Sequence, residues 1–307
     1  MDFDFQHWGT VNYVHATPPP GGQAFMHIGI VGLGLIGGSL ALDWRQGGHR
    51  ITGVSRRAAT ITLAQERGII DHGGTELSLL ASCEVVVLCV PVVQLVQTAE
   101  LVCPHLRADA ILTDVGSVKA PVVQAITPLW PGFIGGHPLA GTAAQGIAAA
   151  QAQLFRQRPY VLTPTPGTHA PQLARLQTLI QELGAHLLVC DPHHHDRAVA
   201  WISHLPIWVS AALLNAAARE PDPQIAALAQ QLASSGWQDT TRVGGGNPEL
   251  GVGLAQSNRE HLLADLRHYH QEIAQVIAML EKQDIAGLTT YLENSRRLGQ
   301  AFPGKRG

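Results

Sequence analysis

His137 is the side chain in this sequence best suited to acid–base chemistry. It stands in the run GGHPLAG at residues 135–141, and a histidine flanked by glycines and proline does not fit an amphipathic helix face. Imidazole exchanges a proton near neutral pH, so His137 is a candidate general base in a loop that follows a strand. Ser117, in the run DVGSVK at residues 114–119, is the candidate hydroxyl that orients it. The alternatives are a surface imidazole for His137 and a helix cap for Ser117.

A glycine-rich loop precedes these residues in the chain. The run GLGLIG at residues 32–37 directly follows a short apolar run and opens a helix-like stretch. That context is typical of a dinucleotide-binding loop, in which a glycine lets the backbone approach a pyrophosphate held at a helix N-terminus. The alternative is a tight turn that binds nothing. The residues that we expect to contact the cofactor here are Gly32, Gly34, Leu35, Ile36 and Gly37.

The cofactor type is predicted by the residues that end the second apolar run. An acidic residue about 20 positions after the glycine loop would hold the ribose hydroxyls of NAD. This sequence has Ser55, Arg56 and Arg57 there, without a carboxylate. Two guanidinium groups and a hydroxyl suit a 2′-phosphate, so we predict NADP as the cofactor. The alternative is a solvated basic turn.

The elements that must position these groups alternate between apolar runs and helix-like stretches. We predict strands at 27–31, 50–54, 84–90, 110–115 and 132–136, two more at 160–164 and 186–190, and a helix at 170–183. This alternation is typical of an α/β fold with a Rossmann-like doubly wound sheet. Both polar loops then follow strands and face the cofactor crevice.

The chain after Cys190 is predicted to be entirely helical. Asp191 followed by Pro192 fits a helix N-cap, and Pro206 is expected to kink the long helix that begins there. Further helices are predicted at 223–236, 254–283 and 285–299. The helix at 254–283 repeats apolar residues at helical spacing. A helical half with this much apolar surface is expected to pack on the first domain or on a partner subunit, most simply in a homodimer.

The predicted domain boundaries follow from these patterns. We expect a flexible extension at 1–25, with Met26 as a candidate natural start, and a dinucleotide-binding domain at 26–190. A helical domain for substrate binding and dimerisation follows at 191–300, and a tail occupies 301–307.

Composition excludes several classes of protein. The chain has 307 residues, 46% of them hydrophobic, which is enough for two packed cores and excludes a disordered or fibrous protein. A net charge of −3 without long runs of like charge argues against nucleic acid as a partner. No apolar segment approaches the ~18 uninterrupted residues of a membrane span. We therefore expect no membrane partner and a cytoplasmic location.

Neither of two groups of potential metal ligands is predicted to hold a metal. The four cysteines, Cys83, Cys89, Cys103 and Cys190, form no CxxC pair, so we expect them to be small reduced core residues. The cluster His193-His194-His195-Asp196 has adjacent histidines that point in different directions near a helix start. No regularly spaced carboxylate or cysteine completes a shell, so we predict no metal and a solvated helix beginning.

A series of motifs resembles one enzyme family. In chain order they are GLGLIGGSL, GVSRR, TDVGSVK, GGHPLAGT, AWISHLP and SSGWQDTTRVGGGNPELG. From Met26 to about Tyr291 the chain resembles the prephenate and arogenate dehydrogenases of tyrosine biosynthesis, most closely the arogenate type of cyanobacteria and plants. The resemblance implies NADP-dependent oxidative decarboxylation of L-arogenate, which yields tyrosine, carbon dioxide and NADPH.

The resemblance also implies roles for individual residues. His137 would be the catalytic base, and Ser117 would hydrogen-bond both His137 and the substrate hydroxyl. Arg242 would bind a substrate carboxylate, with Asp239 placed to fix its guanidinium group, and His204 would lie near the substrate. Lys119 is assigned only support of its loop. Without the resemblance, Asp239 and Arg242 fit an ordinary helix-end salt bridge, and His204 fits a hydrogen-bonded core histidine.

Some features leave alternatives open. The run PELGVG at 248–253 departs from the aromatic and acidic patch that many family members have, so contacts to the substrate amine or keto group stay unassigned. No segment resembles a chorismate mutase or ACT domain, so any feedback by tyrosine is expected at the active site. The alternatives are a prephenate dehydrogenase, a β-hydroxyacid or imine oxidoreductase, and a non-catalytic NADPH-binding sensor.

Overall fold

The computed structural model describes residues 25–142 and 144–301. The predicted N-terminal extension, apart from Phe25, and the tail beyond Ala301 lie outside the described residues. The chain forms two compact units, one that ends at Arg259 and one that begins at Glu260.

An eight-stranded sheet organises the first unit. Its strands are β1 (His27–Val31), β2 (Arg50–Val54), β3 (His72–Gly74), β4 (Val85–Leu88), β5 (Ile111–Asp114), β6 (Phe133–Pro138), β7 (Pro159–Thr163) and β8 (His186–Val189). Their spatial order is β3-β2-β1-β4-β5-β6-β7-β8. Every neighbouring pair is parallel except β6 and β7, which are antiparallel. The predicted α/β doubly wound fold is confirmed, with the change of direction in strand order at β1.

Five helices cover the two faces of this sheet. They are α1 (Leu35–Gln46), α2 (Ala58–Glu66), α3 (Leu95–Val102), α4 (Ala120–Ile126) and α5 (Ala170–Gln181). Alternate residues of each strand point to opposite faces, so Val85 and Val87 join one hydrophobic core and Val86 and Leu88 the other. Trp44 ties α1 to α5 on the first face, because its indole Nε1 donates to the Leu179 carbonyl at 2.9 Å.

Two details of the sheet differ from the sequence prediction. The short strand β3 was missed, because its His-Gly-Gly sequence has none of the apolar or β-branched residues that mark a strand. The strand predicted at 132–136 continues to Pro138, because β7 pairs along it in the antiparallel direction, with His137 opposite Val161. His137 therefore lies within a strand, and its predicted placement in a loop was wrong.

The rest of the first unit is helical. Its helices are α6 (Pro192–Val199), α7 (Leu205–Ala217), α8 (Pro223–Leu232), α9 (Ser235–Thr241) and α10 (Pro248–Ser257), with a π-helical turn at Ala200–His204 between α6 and α7. The predicted N-cap is confirmed, because the Asp191 side chain accepts from the backbone N–H groups of His193 and His194. The π-helical turn lies just before Pro206, where a regular helix would meet the proline ring.

Helix boundaries in this region also differ from the prediction. The stretch predicted as one helix at 223–236 is two helices, and the stretch predicted at 254–283 belongs to α10 and to α11 (Arg259–Glu281). Asn258 separates these last two, since its φ of −127° and ψ of 38° leave the helical region. Asn247 starts α10 earlier than predicted by accepting from the Glu249 backbone N–H at 2.9 Å.

The second unit contains α11 from Glu260 onward and α12 (Ile285–Ala301). The Tyr291 hydroxyl of α12 donates to the Glu272 carboxylate of α11 at 3.1 Å. Large apolar side chains on both helices are exposed, including Leu263, Ile273, Ile277, Leu280, Ile285 and Leu292.

One described stretch, Pro192–Ala217, passes a test of length and composition for a membrane-spanning helix, with a mean hydropathy of 1.4. Polar and charged residues interrupt this stretch, among them Asp196, Arg197 and His204, so it is not an uninterrupted apolar run. A core helix of a water-soluble protein passes the same test, so a single stretch of this kind is weak evidence. Here it also carries the buried polar residues His195, Asp196 and His204.

Candidate active site

The glycine loop lies at the carboxyl end of β1, and its glycines meet different constraints. Gly32 has a φ of +99°, which favours glycine, and a Cβ there would lie 2.4 Å from the Cys89 carbonyl oxygen. A Cβ on Gly37 would lie 2.1 Å from the Gly32 carbonyl oxygen. By contrast, a Cβ on Gly34 would meet no protein atom within 4 Å. Gly32 and Gly37 are therefore required by the fold, whereas Gly34 keeps open a space beside the N-terminus of α1.

A cavity of about 710 Å³ opens at this loop. Gly32 and Gly34 line it, together with residues that follow β2 and β4 and with the segment at 146–148. Leu35, Ile36 and Gly37 are not among the lining residues and lie in the first turn of α1. The size of this cavity and its place at the change of strand direction suit a dinucleotide.

One end of the cavity is basic. Ser55, Arg56 and Arg57 line it, and no aspartate or glutamate is among its described lining residues. Both arginines are exposed, and neither guanidinium has a hydrogen bond or ion pair within the part of the chain that the structure describes. These cations are therefore available to an anionic ligand.

A buried ion pair joins the strands beside His137. Lys119 and Asp114 are both fully buried, and the Lys119 ammonium donates to the Asp114 carboxylate. Lys119 Nζ also donates to the Gly136 carbonyl at 2.8 Å, and the Gly136 backbone N–H donates to Asp114 Oδ1 at 3.0 Å. Burial lowers the pKa of Lys119, and the Asp114 carboxylate acts in the opposite direction by raising it. The pair fixes the loop after β5 to the backbone next to His137.

His137 is buried, with 8% of its surface exposed. Its Nδ1 lies 2.8 Å from Nε2 of His195, and the two rings meet edge to face. Its Nε2 has no hydrogen-bond partner among the described residues. Burial holds the pKa of His137 well below its usual 6.5, and the neighbouring His195, Lys119 and His204 lower it further. His137 is therefore neutral at physiological pH, as a general base must be.

His195 and Asp196 are part of this site, which the sequence prediction missed. Both are buried, whereas His193 and His194 are exposed, so the predicted solvated helix beginning holds only for the first two histidines. His195 Nδ1 lies 2.8 Å from Asp196 Oδ1. The missed signal was spacing: from the Asp191 N-cap, residues 195 and 196 fall on one helix face with the apolar Val199. Among the described residues, no group of three or more potential ligands is placed to hold a metal.

Ser117 lies in the loop between β5 and α4 and is partly buried. Its hydroxyl forms no hydrogen bond to His137 or to any other described residue, and Nδ1 of His137 lies against His195 instead. Ser117 is thus near the site along the chain, and its predicted bond to His137 is absent from this structure.

His204 is buried in the π-helical turn. Its Nδ1 lies 3.2 Å from Nδ2 of Asn258, and Asn258 also donates to the Asp196 carbonyl at 2.8 Å. Nε2 of His204 is buried without a hydrogen-bond partner among the described residues. Burial lowers the pKa of His204 to about 4, so the ring is neutral. Asn258, which links His204 to α6, was not predicted from the sequence.

Arg242 and Asp239 are not joined in this structure. Both are exposed on or just after α9, and neither side chain forms an ion pair within the described residues. The predicted salt bridge between them, in either a functional or a purely structural role, is therefore absent here. The Arg242 guanidinium is left without a protein partner among these residues.

Comparison with known proteins identifies the family. The nucleotide-binding domain of prephenate dehydrogenase matches residues 40–189, and the dimerization domain of prephenate dehydrogenase matches residues 191–294. A prephenate dehydrogenase of Bacillus subtilis is 30% identical over 281 residues, which span 89% of this chain and 75% of the relative.

Two solved structures are similar over nearly their whole length. Synechocystis arogenate dehydrogenase is 49% identical with a TM-score of 0.82, covering 90% of this chain and 99% of that one. Aquifex aeolicus prephenate dehydrogenase, in complex with hydroxyphenyl propionate and NAD+, is 26% identical with a TM-score of 0.85, covering 91% and 99%. Together with the two matching domains, these similarities establish that the chain belongs to the prephenate dehydrogenase family of oxidoreductases, enzymes of tyrosine biosynthesis that use a nicotinamide cofactor.

Proposed function

We propose that this protein catalyses the NADP-dependent oxidative decarboxylation of L-arogenate to L-tyrosine. The observation that carries the chemistry is His137, a buried neutral imidazole whose Nε2 has no partner among the described residues. The ring hydroxyl of the substrate gives its proton to this nitrogen, while hydride leaves the ring carbon that bears the hydroxyl. Loss of the ring carboxylate as carbon dioxide then restores aromaticity. When bound, the nicotinamide supplies the hydride acceptor.

Residues of the first unit support this assignment of roles. The loops that carry Gly32 and Ser117 follow strands parallel to β6, so both lie at the same edge of the sheet as His137. Ser117 is the hydroxyl proposed to bind the substrate hydroxyl once the substrate is present. Arg242 is proposed to bind the side-chain carboxylate, since its guanidinium is exposed without an ion-pair partner among the described residues. His204 is proposed to contact the substrate through Nε2, which has no partner there.

The preference for NADP is inferred from the basic end of the cavity. The 2′-phosphate of NADP would lie against Ser55, Arg56 and Arg57, where no carboxylate lines the described wall. A carboxylate at this position would repel that phosphate. Gly34 leaves space for the pyrophosphate, since nothing in the protein occupies the position of a Cβ there.

Arogenate is proposed over prephenate because of the higher sequence identity to an arogenate dehydrogenase. The chain is 49% identical to Synechocystis arogenate dehydrogenase and 26% identical to Aquifex aeolicus prephenate dehydrogenase. Prephenate differs from arogenate by a keto group in place of the amine, so prephenate is the alternative substrate.

We further propose a cytoplasmic homodimer that forms through the helical region. The match to a dimerization domain supports a dimer. Exposed large apolar side chains on α8, α11 and α12 supply the surface that a partner copy would bury. All four cysteines are free, as expected in a reducing compartment.

The test is NADPH formation, measured with arogenate or prephenate and with NADP or NAD. His137→Asn should lower kcat by about 10²–10⁴-fold and leave cofactor binding intact, because a base acts mainly in the transition state. The matched control is His105→Asn, an exposed histidine for which native rates are expected.

The outcomes separate the alternatives. Faster turnover with prephenate would replace the proposed substrate, and equal kinetic constants for NADP and NAD would overturn the cofactor preference. Cofactor binding without turnover of either substrate would indicate a sensor. Full activity of His137→Asn would remove His137 from the mechanism.

A further inference from the structure

Two residues of α6 connect His137 to the backbone of another helix. Asp196 accepts the backbone N–H of Lys119 through Oδ1 at 2.6 Å and that of Ala120 through Oδ2 at 2.7 Å. These groups stand at the start of α4, where backbone N–H groups lack partners within the helix. Asp196 Oδ1 also lies 2.8 Å from Nδ1 of His195, whose Nε2 lies 2.8 Å from Nδ1 of His137.

The chemistry of these contacts fixes which nitrogen carries a proton. An ionised carboxylate only accepts hydrogen bonds, so Asp196 requires a proton on Nδ1 of His195. In the neutral form of His195, the single N–H is therefore on Nδ1, which leaves Nε2 as an acceptor. His137 must then donate to it from Nδ1. The proton of neutral His137 therefore sits on Nδ1, and its lone pair is on Nε2.

We propose that His195 and Asp196 are positioning residues that hold His137 in the Nδ1–H tautomer and so leave Nε2 as the base. This inference rests on the proposed role of His137. The opposite tautomer would place a proton on Nε2, which then has no lone pair to accept the proton of the substrate hydroxyl. A base held in the wrong tautomer loses several orders of magnitude in rate.

The same contacts stabilise the product of proton transfer. When His137 takes a proton at Nε2, the ring becomes a cation that still donates from Nδ1 to His195. The Asp196 carboxylate lies on the far side of His195 and is the nearest anion along this chain of hydrogen bonds. Lys119 and His204 also face His137, but Lys119 is paired with Asp114 and His204 is neutral.

A pair of substitutions at position 195 tests the hydrogen bond. His195→Leu removes the acceptor for His137 at similar volume, whereas the Oε1 atom of His195→Gln restores an acceptor near the position of Nε2. With whichever substrate the native enzyme uses, we expect His195→Leu to lower kcat by about 100-fold and His195→Gln to lower it by about tenfold or less. NADP affinity should stay native in both. The matched control is His194→Leu, on the exposed side of the same helix, with native kcat expected.

A double variant separates positioning of His137 from general damage to the fold. In a His137→Asn background the positioned group is gone, so adding His195→Leu should lower kcat by no more than about twofold. A further loss as large as in the native background would overturn the proposal. So would a kcat of His195→Leu within about threefold of native, or an equal loss in His195→Gln.

The tautomer itself can be measured in the native enzyme, which keeps the test valid if a variant fails to fold. Nitrogen-15 NMR of the histidine side chains at pH 8 should give protonated Nδ1 for both His137 and His195. A protonated Nε2 on His137 would overturn the proposal. If the native enzyme turns over neither substrate, the proposed function itself fails, and if His137→Asn keeps full turnover, the proposed role of His137 fails. If His137→Asn is inactive and His195→Leu is not, only the present inference fails.

Discussion

The positively charged side chains assigned to the site fall into two contrasting groups. Lys119 is fully buried and paired with Asp114, with a further hydrogen bond to the Gly136 carbonyl. Arg56, Arg57 and Arg242 are exposed and form no ion pair within the described residues. A buried cation needs an anionic partner from the protein, whereas an exposed cation is solvated by water and can pair with an anionic ligand. The difference fits a structural role for Lys119 and the proposed ligand-binding roles of the arginines.

Substitution of Lys119 tests the structural role of the buried lysine. Lys119→Met leaves Asp114 as an uncompensated buried carboxylate, so we expect a loss of about 3–5 kcal/mol in the free energy of unfolding. Urea unfolding followed by circular dichroism measures this loss. The control is Lys282→Met, at an exposed lysine outside the sheet, with a change of less than about 0.5 kcal/mol. A loss below about 1 kcal/mol for Lys119→Met would contradict a structural role.

Arg242→Ala should affect the substrate without affecting the fold. Charge-assisted hydrogen bonds are worth about 1.5–3 kcal/mol, so KM for arogenate should rise about 10- to 100-fold, with native NADP affinity and native Tm. Steady-state kinetics and cofactor titration measure both effects. Arg219→Ala, an exposed arginine at the end of α7, is the matched control. If NADP affinity fell equally, Arg242 would not be a substrate ligand.

Arg56→Ala tests whether this exposed arginine binds the cofactor. Loss of one exposed contact to the 2′-phosphate should weaken NADP by about tenfold and leave NAD affinity unchanged. Fluorescence titration with each cofactor measures the ratio. Arg158→Ala removes an exposed arginine that does not line the cavity and should change neither affinity. Parallel loss for both cofactors would place Arg56 away from the phosphate.

The smallest expected effect is on the pH dependence of kcat/KM. The base must be neutral, and the pKa of His137 is held well below 6.5, first by burial and then by His195, Lys119 and His204. The value of kcat/KM should therefore stay level as the pH falls from 7.5 to about 6.5, where an unshifted histidine would have lost about half its activity. An acid limb with its midpoint at 6.5 or above would contradict the buried position of the base.

The parts of the site that the sequence predicted correctly depend on local pattern. β1 and β2 have the predicted bounds, because short apolar runs bounded by turns specify buried strands. The glycine loop follows β1 directly, and Asp191 caps α6 as expected. In each case the deciding residues are neighbours in the chain.

The incorrect predictions concern residues whose contacts lie far away in the chain. His137 was predicted in a loop because its flanking glycines and proline suggest one, yet β7 pairs with that segment and makes it a strand. His195 was predicted to be solvated, but its ring is buried against His137. Ser117 was expected to orient His137, and His195 holds that place instead.

The sequence alone therefore determined the α/β class, the dinucleotide loop and the basic residues beside it, because spacing and side-chain type within a few residues carry that information. Only the tertiary structure decided how the base is held. His137 and His195 are 58 positions apart, and Lys119 and Asp196 are 77 apart. Contacts at such separations arise when the helices pack against the sheet, and no local pattern specifies which side chains then meet.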